Sequence, residues 1–442
     1  MGELLLIAYM MFLLIIIMIY RKNLFHPVPI LYAYWFITFP FKYFFYEYYP
    51  EYAVGGYIND IEIRNEALAW SLAYITIVLA FYLSLEFAFK REKAVNRPSS
   101  LVSVQAIKVV WVISGMIFIS FNMEKIISGD IVAYLSNRNE TYSGDGFFKV
   151  FGSTFFFMST VAMLASAYIN FYTKRTSSAL KKMHLWTAVA ISVGILFLIL
   201  EMVRGKLLII IFSIFFLRHF YIKRMGIMTI ASCALAAIFI IGALSQVKYV
   251  LVTGTFFSIG QFGILDRVIG GVLVSFDSMD HLNQVVFKKT DIVVSETLMQ
   301  PFLDPVIANV PRVIWEGKPT SLGGVSLQEY IYPELTMESG VVKSYYSVSA
   351  VGEALLLGGW IGIVIFGFYL AVVLRIFSRS GSMNPVSIMF TIVLVMSLFN
   401  VCRAGIFGLN SVLMNFLMFW VFYSFIKMFL LSFRGSPKEV TA

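Results

Sequence analysis

The hexapeptide Glu201-Met-Val-Arg-Gly-Lys206 separates two apolar runs, residues 185–200 and 207–222. Both runs approach the length of a membrane-spanning helix, and so short a hexapeptide leaves no room for a loop. The sequence therefore predicts two membrane helices that turn at this point. Burying ionised side chains in lipid costs several kcal/mol, so we expect Glu201, Arg204 and Lys206 at the rim of the bilayer, facing water or a polar ligand.

The composition of the whole chain is that of a polytopic membrane protein. Of its 442 residues, 59% are hydrophobic and 13% are charged, and the mean hydropathy is +0.82. A soluble domain carries about twice that charged fraction. Because one span takes roughly 20 apolar residues, the sequence predicts an all-α protein with about 11 transmembrane helices. The predicted spans are 3–20, 28–46, 67–89, 107–123, 147–171, 185–201, 207–222, 226–245, 347–374, 386–402 and 406–429.

Basic residues occupy every second connection between these spans, which places the N-terminus outside the cytoplasm and the C-terminus inside it. The net charge of +9 then lies largely on the cytoplasmic side, where anionic lipid attracts it, and does not indicate nucleic acid.

The first run lacks a basic n-region and a cleavage site, so we expect a retained helix. Cys233 and Cys402 lie in apolar runs without metal-ligand spacing, and no metal site is predicted.

The chain is expected to form one membrane domain with a cap. Residues 1–246 contain predicted helices one to eight, residues 247–346 form a large periplasmic loop, and residues 347–442 contain the last three helices and a cytoplasmic tail. The loop holds five of the chain's twelve prolines, which break it into short pieces. A loop of this length usually has a function.

Several cations fall on the predicted outer face. Arg403 repeats the pattern of Arg204, since it lies in a tight turn, Asn400-Val-Cys-Arg-Ala-Gly-Ile406, between the tenth and eleventh helices. The planar guanidinium group binds phosphate oxygens in pairs and keeps its charge. The alternative is that each cation reaches toward lipid headgroups or pairs with a carboxylate of the loop. The candidate anion-binding residues are Arg138, Arg204, Arg267, Arg312, Lys318 and Arg403.

Two residues are candidates for acid–base chemistry. Glu353 lies about one turn inside the ninth predicted helix, where an ionisable residue is a functional candidate by default, although it could equally be a structural partner. His281 closes the segment Ser275-Phe-Asp-Ser-Met-Asp-His281 and could act as a general base near neutral pH. The alternative for His281 is an ordinary loop residue, and the sequence does not decide between the two candidates.

Four segments together carry a family resemblance. They are Arg138 with Tyr142 and Gly144, the hexapeptide Glu201–Lys206, the stretch Phe276-Asp-Ser-Met-Asp-His-Leu282, and Ile307-Ala-Asn-Val-Pro-Arg-Val-Ile-Trp-Glu-Gly-Lys-Pro319 followed by Ser349-Ala-Val-Gly-Glu353, Gly358, Gly359 and Gly362. With these segments the chain resembles the bacterial O-antigen/exopolysaccharide repeat-unit polymerases (the Wzy family). The resemblance implies a GT-C-like fold in the bacterial inner membrane, with the active site facing the periplasm.

The resemblance also implies a reaction. A glycan carried on undecaprenyl pyrophosphate is transferred onto a lipid-linked repeat unit, without a metal or other cofactor. Arg204, Arg312 and Arg403, followed by Arg138, Arg267 and Lys318, would stabilise the leaving pyrophosphate. Glu353 or His281 would take the proton from the attacking hydroxyl. The implied partners are lipid-linked oligosaccharides and membrane lipids, with a chain-length regulator as a further candidate.

Two alternatives stay open. An O-antigen ligase shares the architecture and the lipid-linked donor but transfers the glycan to lipid A core. A transporter or flippase for lipid-linked oligosaccharides would show internal repeats, broken helices and ionisable groups near the middle of the bilayer. The sequence shows no evident repeat and almost no charge in the middle of a predicted span, which favours the polymerase.

Overall fold

A computed structural model describes residues 1–21, 23–46, 48, 57–89, 101–128, 146–201, 204–226, 228–230, 232–233, 235–236, 239–240, 242–243, 270, 272–273, 276–288, 297–310, 314–315, 317–319, 327, 330–332, 348–378 and 383–433. Every regular element within these residues is helical. The elements are α1 (Gly2–Tyr20), α2 (Pro27–Phe36), a π-helical turn (Ile37–Phe41), α3 (Lys42–Tyr46), α4 (Ile61–Ala88), α5 (Leu101–Ser128), α6 (Gly146–Lys174), α7 (Ser177–Glu201), α8 (Arg204–Tyr221), α9 (Ser278–Lys288), α10 (Gln300–Asn309), α11 (Ala350–Ser378) and α12 (Pro385–Ser432).

Seven of these helices, in the part of the chain that the structure describes, are long and apolar enough to cross a membrane: α1, α4, α5, α6, α7, α11 and α12. The prediction of a helical, multi-pass membrane protein is thereby confirmed. The number of spans stays a prediction, and so does the GT-C-like arrangement.

The chain divides into two compact units. The first comprises Met1–Glu92, Gly226–Arg379 and Ser397–Val412, and the second comprises Lys93–Met225, Ser380–Met396 and Leu413–Ala442. In the first unit α4 packs against α11, α9 and α1. In the second unit α6 packs against α5, α7 and α8.

Buried aromatic residues lie at the contacts of α1 and α2 with α4 in the first unit. The Trp35 ring stacks on the Tyr74 ring at 5.3 Å, and its indole N–H donates to the carbonyl oxygen of Ser71 at 3.2 Å. The Tyr9 and Ser71 hydroxyls are 2.5 Å apart. Buried Tyr and Trp side chains need such partners, so these contacts fix α1 and α2 against α4.

The turn at the hexapeptide is confirmed in the second unit. Helix α7 ends at Glu201 and α8 begins at Arg204. The Lys206 ammonium lies 2.8 Å from the Glu201 carboxylate, contacts the Ser153 hydroxyl and lies 4.2 Å from the centre of the Phe197 ring. Glu201 and Lys206 therefore pair with each other instead of facing a ligand, contrary to the expectation from the sequence. The side chain of Arg204 is outside the described residues.

Helix α12 is broken at Gly405, whose backbone angles (φ 71°, ψ −161°) are not helical. The rings of Phe390 and Phe416 lie 4.6 Å apart, whereas an unbroken helix would separate these residues by about 39 Å. The helix therefore folds back on itself, as the predicted spans 386–402 and 406–429 require. The turn is shorter than expected from the sequence, because Asn400 to Ala404 remain helical and Gly405 alone departs.

Helix α11 is broken in the same way at Gly359 (φ 55°, ψ −131°). The carbonyl oxygen of Ala354 lies against Gly362, and these residues would be about 12 Å apart along a straight helix. The predicted span 347–374 is thus a short helical segment, residues 350–358, that folds back onto a longer one. The longer segment keeps enough residues to cross a bilayer, since roughly 20 suffice.

Candidate functional site

Helix α9 brings the acidic segment before His281 into the interior of the first unit. Its residues from Ser278 to Val286 are buried, and it packs against α4 and α11. The sequence placed this segment in the large loop, residues 247–346, that is expected to form a cap, and that assignment stays a prediction. The sequence did not reveal the burial of α9. Its polar side chains are neutralised by partners from distant parts of the chain, which hydropathy cannot reveal.

Asp277, immediately before α9, contacts two candidate residues. Its Oδ2 atom lies 3.2 Å from the Arg403 guanidinium and 3.5 Å from Nε2 of His281. Burial alone would raise the pKa of the Asp277 carboxyl, but the charge of Arg403 and the hydrogen bond from His281 outweigh it and hold the pKa below its usual range. Asp277 is therefore a carboxylate at physiological pH and a fixed partner for the guanidinium group.

His281 is enclosed by protein groups. Its Nδ1 atom lies 2.9 Å from the Tyr332 hydroxyl, its Nε2 atom faces Asp277, and 1% of the residue is exposed. A base that receives a proton from an external hydroxyl must be within hydrogen-bond reach of it. In this arrangement the Tyr332 hydroxyl is the group through which His281 would exchange a proton.

A buried ion pair lies beside this contact. The Lys42 ammonium is 3.1 Å from the Asp280 carboxylate and donates to the carbonyl oxygen of Leu273 at 3.0 Å. The sequence analysis missed Lys42, although a lysine near the end of the apolar run 28–46 was a visible signal. We call Lys42, Asp277, Asp280, His281 and Arg403 the ion cluster. The ion cluster lies entirely within the first unit.

Arg403 is the member of the ion cluster that reaches the surface. Its side chain is 36% exposed, whereas the Lys42, Asp277, Asp280 and His281 side chains are buried. One guanidinium nitrogen is held by Asp277, and part of the group remains open to an incoming ligand. The arrangement can therefore bind an anion, which the sequence predicted for Arg403.

Glu353 is 0% exposed and binds the backbone of α12. Its Oε2 atom accepts a hydrogen bond from the N–H of Ile406 at 2.5 Å, and the N–H of Phe407 also donates to its carboxylate. A Cβ atom on Gly405 would lie 2.8 Å from the carboxyl carbon of Glu353. Glu353 thus caps the helical segment that follows Gly405, and it does not face a solvent-filled space.

The other predicted anion-binding residues are not brought together by the described structure. Lys318 donates to the carbonyl oxygens of Ala308 and Val310 at 2.7 and 3.0 Å, so it closes the C-terminal end of α10, where a cation is favoured. Arg138, Arg267 and Arg312 lie outside the described residues, as does the side chain of Arg204. Within the described residues, no cluster of three His, Cys, Asp or Glu side chains offers a metal site.

Alanine at Gly405 should destabilise the protein more than alanine at Gly359. Both glycines have positive φ, and a side chain in such a conformation costs about 1–3 kcal/mol. A Cβ atom at Gly359 would meet open space, whereas one at Gly405 would collide with the Glu353 carboxylate. Thermal unfolding of the purified variants in detergent measures the difference. Equal midpoints for Gly359→Ala and Gly405→Ala would contradict the tight contact with Glu353.

The resemblance to the polymerases rests on sequence motifs, of which the structure describes a part. Residues 276–282 and 349–353 are described throughout, residues 201–206 and 307–319 in part, and the segment around Arg138 lies outside. The two fully described motifs lie in the first unit, where Asp277 binds Arg403 and Glu353 binds Ile406. No protein-family model, curated protein or solved structure matches the chain.

Proposed function

We propose that the chain is a membrane glycosyltransferase that polymerises lipid-linked repeat units. It transfers a glycan from undecaprenyl pyrophosphate onto a second lipid-linked unit at the outer face of the inner membrane, in the synthesis of an O-antigen or exopolysaccharide. The reaction needs no metal in this proposal, because arginine side chains supply the positive charge. The motif resemblance indicates the reaction class. The position of Arg403 is the structural observation that best supports the proposal.

The positive charge of Arg403 would stabilise a leaving pyrophosphate. The pyrophosphate gains negative charge as the glycosidic bond breaks, and a fixed cation aimed at it stabilises the transition state more than the ground state. Asp277 holds the guanidinium group at 3.2 Å, so little reorganisation is needed when charge develops. The exposed part of the group is free to form paired hydrogen bonds with phosphate oxygens.

Proton transfer is assigned to His281 in this proposal. Asp277 lies against Nε2 of the ring and stabilises the imidazolium that forms when the ring accepts a proton, as carboxylates do beside catalytic histidines. The Tyr332 hydroxyl contacts Nδ1, and in this proposal it relays the proton of the attacking sugar hydroxyl to the ring. The exposed guanidinium of Arg403 and the imidazole of His281 are thus linked through one carboxylate.

Purified protein in liposomes tests the proposal directly. Given an undecaprenyl-pyrophosphate-linked repeat unit, without nucleotide or divalent ion, it should produce a ladder of polymer and release undecaprenyl pyrophosphate. Transfer of glycan to added lipid A core would identify a ligase instead. The absence of any transfer, with the protein folded and inserted, would contradict both glycosyltransferase functions.

A transporter of lipid-linked oligosaccharide is the second candidate, and a structural observation favours it. Helices α11 and α12 are broken at Gly359 and Gly405, and the ionisable Glu353 is buried beside the break at Gly405. Broken helices and buried charges are typical of carriers, so the argument from the sequence against a carrier loses much of its weight. Movement of a fluorescent lipid-linked sugar across proteoliposomes, without polymer formation, would favour this function.

A further inference from the structure

We propose that Glu353 is a positioning residue, which fixes the turn of α12 that carries Arg403, and that it is not the base that accepts the substrate proton. The position of Glu353 in the sequence predicted either a catalytic or a structural role. The inference deepens the proposed function and rests on it for the role of Arg403, whereas the contact that carries the inference is independent of the reaction.

The contact between Glu353 and the backbone of α12 lies at the start of a helical segment. Because Gly405 interrupts α12, the segment that begins at Ile406 has N–H groups without partners in the preceding turn. The Glu353 carboxylate accepts from the N–H groups of Ile406 and Phe407. A carboxylate is favoured at a helix N-terminus by the hydrogen bonds and by the helix dipole. Glu353 therefore determines where this helical segment begins.

Glycine at position 405 makes the contact possible. Its positive φ turns the chain without strain, and the missing Cβ atom lets the carboxylate approach the backbone closely. Arg403 lies two residues before Gly405, so a shift at Ile406 is transmitted to Arg403 through the backbone. The position of the Arg403 backbone depends in this way on Glu353.

Two carboxylates from different parts of the chain thus hold the same turn. Asp277 binds the side chain of Arg403, and Glu353 binds the backbone just beyond it. An arginine that is restrained at both its backbone and its guanidinium group points in a fixed direction. Such restraint matters for catalysis, because misplacement of a group by about 1 Å can lower a rate on the order of 10²-fold.

The same geometry disfavours a direct proton transfer to Glu353. The side chain is fully buried, and the oxygen that faces Ile406 is engaged by the backbone. A substrate hydroxyl would have to enter the contact between α11 and the turn of α12 to reach it. The contacts of Glu353 are therefore those of a helix cap.

Two substitutions at one position distinguish positioning from catalysis. Glu353→Gln keeps an oxygen that accepts from Ile406 but cannot take up a proton at neutral pH, whereas Glu353→Ala removes both properties. We expect Glu353→Gln to keep kcat within about 10-fold of the wild type and Glu353→Ala to lose on the order of 10²-fold. Loss of transfer in Glu353→Gln equal to that in Glu353→Ala, with both proteins folded, would overturn the proposal.

Amide hydrogen exchange tests the contact whether or not the protein transfers glycan. Peptides containing Ile406 and Phe407 should exchange faster in Glu353→Ala than in the wild type, and at nearly the wild-type rate in Glu353→Gln. Glu201→Ala, which removes a partly buried carboxylate in the second unit, is the control and should leave these amides unchanged. Unaltered exchange in Glu353→Ala would overturn the inference.

Failure of the proposed function and failure of the positioning contact give different experimental results. A wild-type protein that makes no polymer but shows this exchange pattern loses the proposed function and keeps the positioning contact. If Glu353→Ala does not fold, Glu353→Asp takes its place, because its shorter side chain cannot reach Ile406 without movement. Wild-type exchange together with wild-type transfer in Glu353→Asp would then also count against the proposal.

Discussion

Replacing Arg403 with alanine should abolish polymer formation while leaving the protein inserted and folded. The loss of one preorganised charged donor in an active site typically lowers kcat on the order of 10²- to 10³-fold. Arg403 is only partly buried, so its removal leaves Asp277 with His281 as a neighbour and does not empty the core. The measurement is the rate of polymer formation from a lipid-linked repeat unit, normalised to folded protein.

Arg403→Lys refines this prediction. Lysine keeps the positive charge but has no planar fork, so it cannot hold Asp277 and two phosphate oxygens at once. We expect this variant to be impaired, though less than Arg403→Ala. Arg224→Ala removes an exposed arginine and serves as the control for the loss of one positive charge. A normal polymer ladder from Arg403→Ala would remove the main support for the proposed function.

The sequence also makes Arg204 and Arg312 candidates for the same role. Alanine substitutions of these residues are expected to abolish polymer formation, on the resemblance alone. If Arg403→Ala is inactive while both of these variants remain active, neither Arg204 nor Arg312 belongs to the anion site. That outcome would separate what the structure supports from what the motifs suggest.

Hydropathy was sufficient to predict most of the helices. An apolar run of the right length has few alternatives to a helix in lipid, because every backbone group must be satisfied internally. The turn at Glu201–Lys206 and the reversal near Arg403 were predicted for this reason. The breaks at Gly359 and Gly405 were harder to locate, because a glycine with positive φ looks in the sequence like any glycine within an apolar run.

The ion cluster could not be predicted by the same means. Lys42 and Asp280 come from distant segments, as do Asp277 and Arg403. The apolar residues Met279, Leu282, Val285 and Val286 follow the spacing of one helix face, but the burial of the polar residues of α9 becomes understandable only when their partners are known. Hydropathy reports the cost of burying Asp280, but it contains no information about the lysine that offsets that cost.

The pairing of Lys42 with Asp280 leads to the largest expected effect on stability. Lys42→Met should destabilise the protein by about 3–5 kcal/mol, because the Asp280 carboxylate remains buried without its counter-charge. Asp280→Leu should cost a similar amount, since it removes the carboxylate that lies against the buried ammonium group. The double variant Lys42→Met/Asp280→Leu should recover most of the loss, because hydrophobic residues of similar volume often replace a buried ion pair with little penalty.

Thermal unfolding in detergent or nanodiscs, analysed as a double-mutant cycle, measures this coupling. Additive effects of the two substitutions would contradict a direct ion pair. The double variant also shows what the ion pair contributes besides stability. If it folds as well as the wild type but transfers glycan slowly, Lys42 and Asp280 hold α9, and with it Asp277 and His281, in the position that Arg403 requires. If it transfers at the normal rate, the apolar residues of α9 hold this helix in place. Lys42 then serves only to neutralise the buried Asp280 carboxylate.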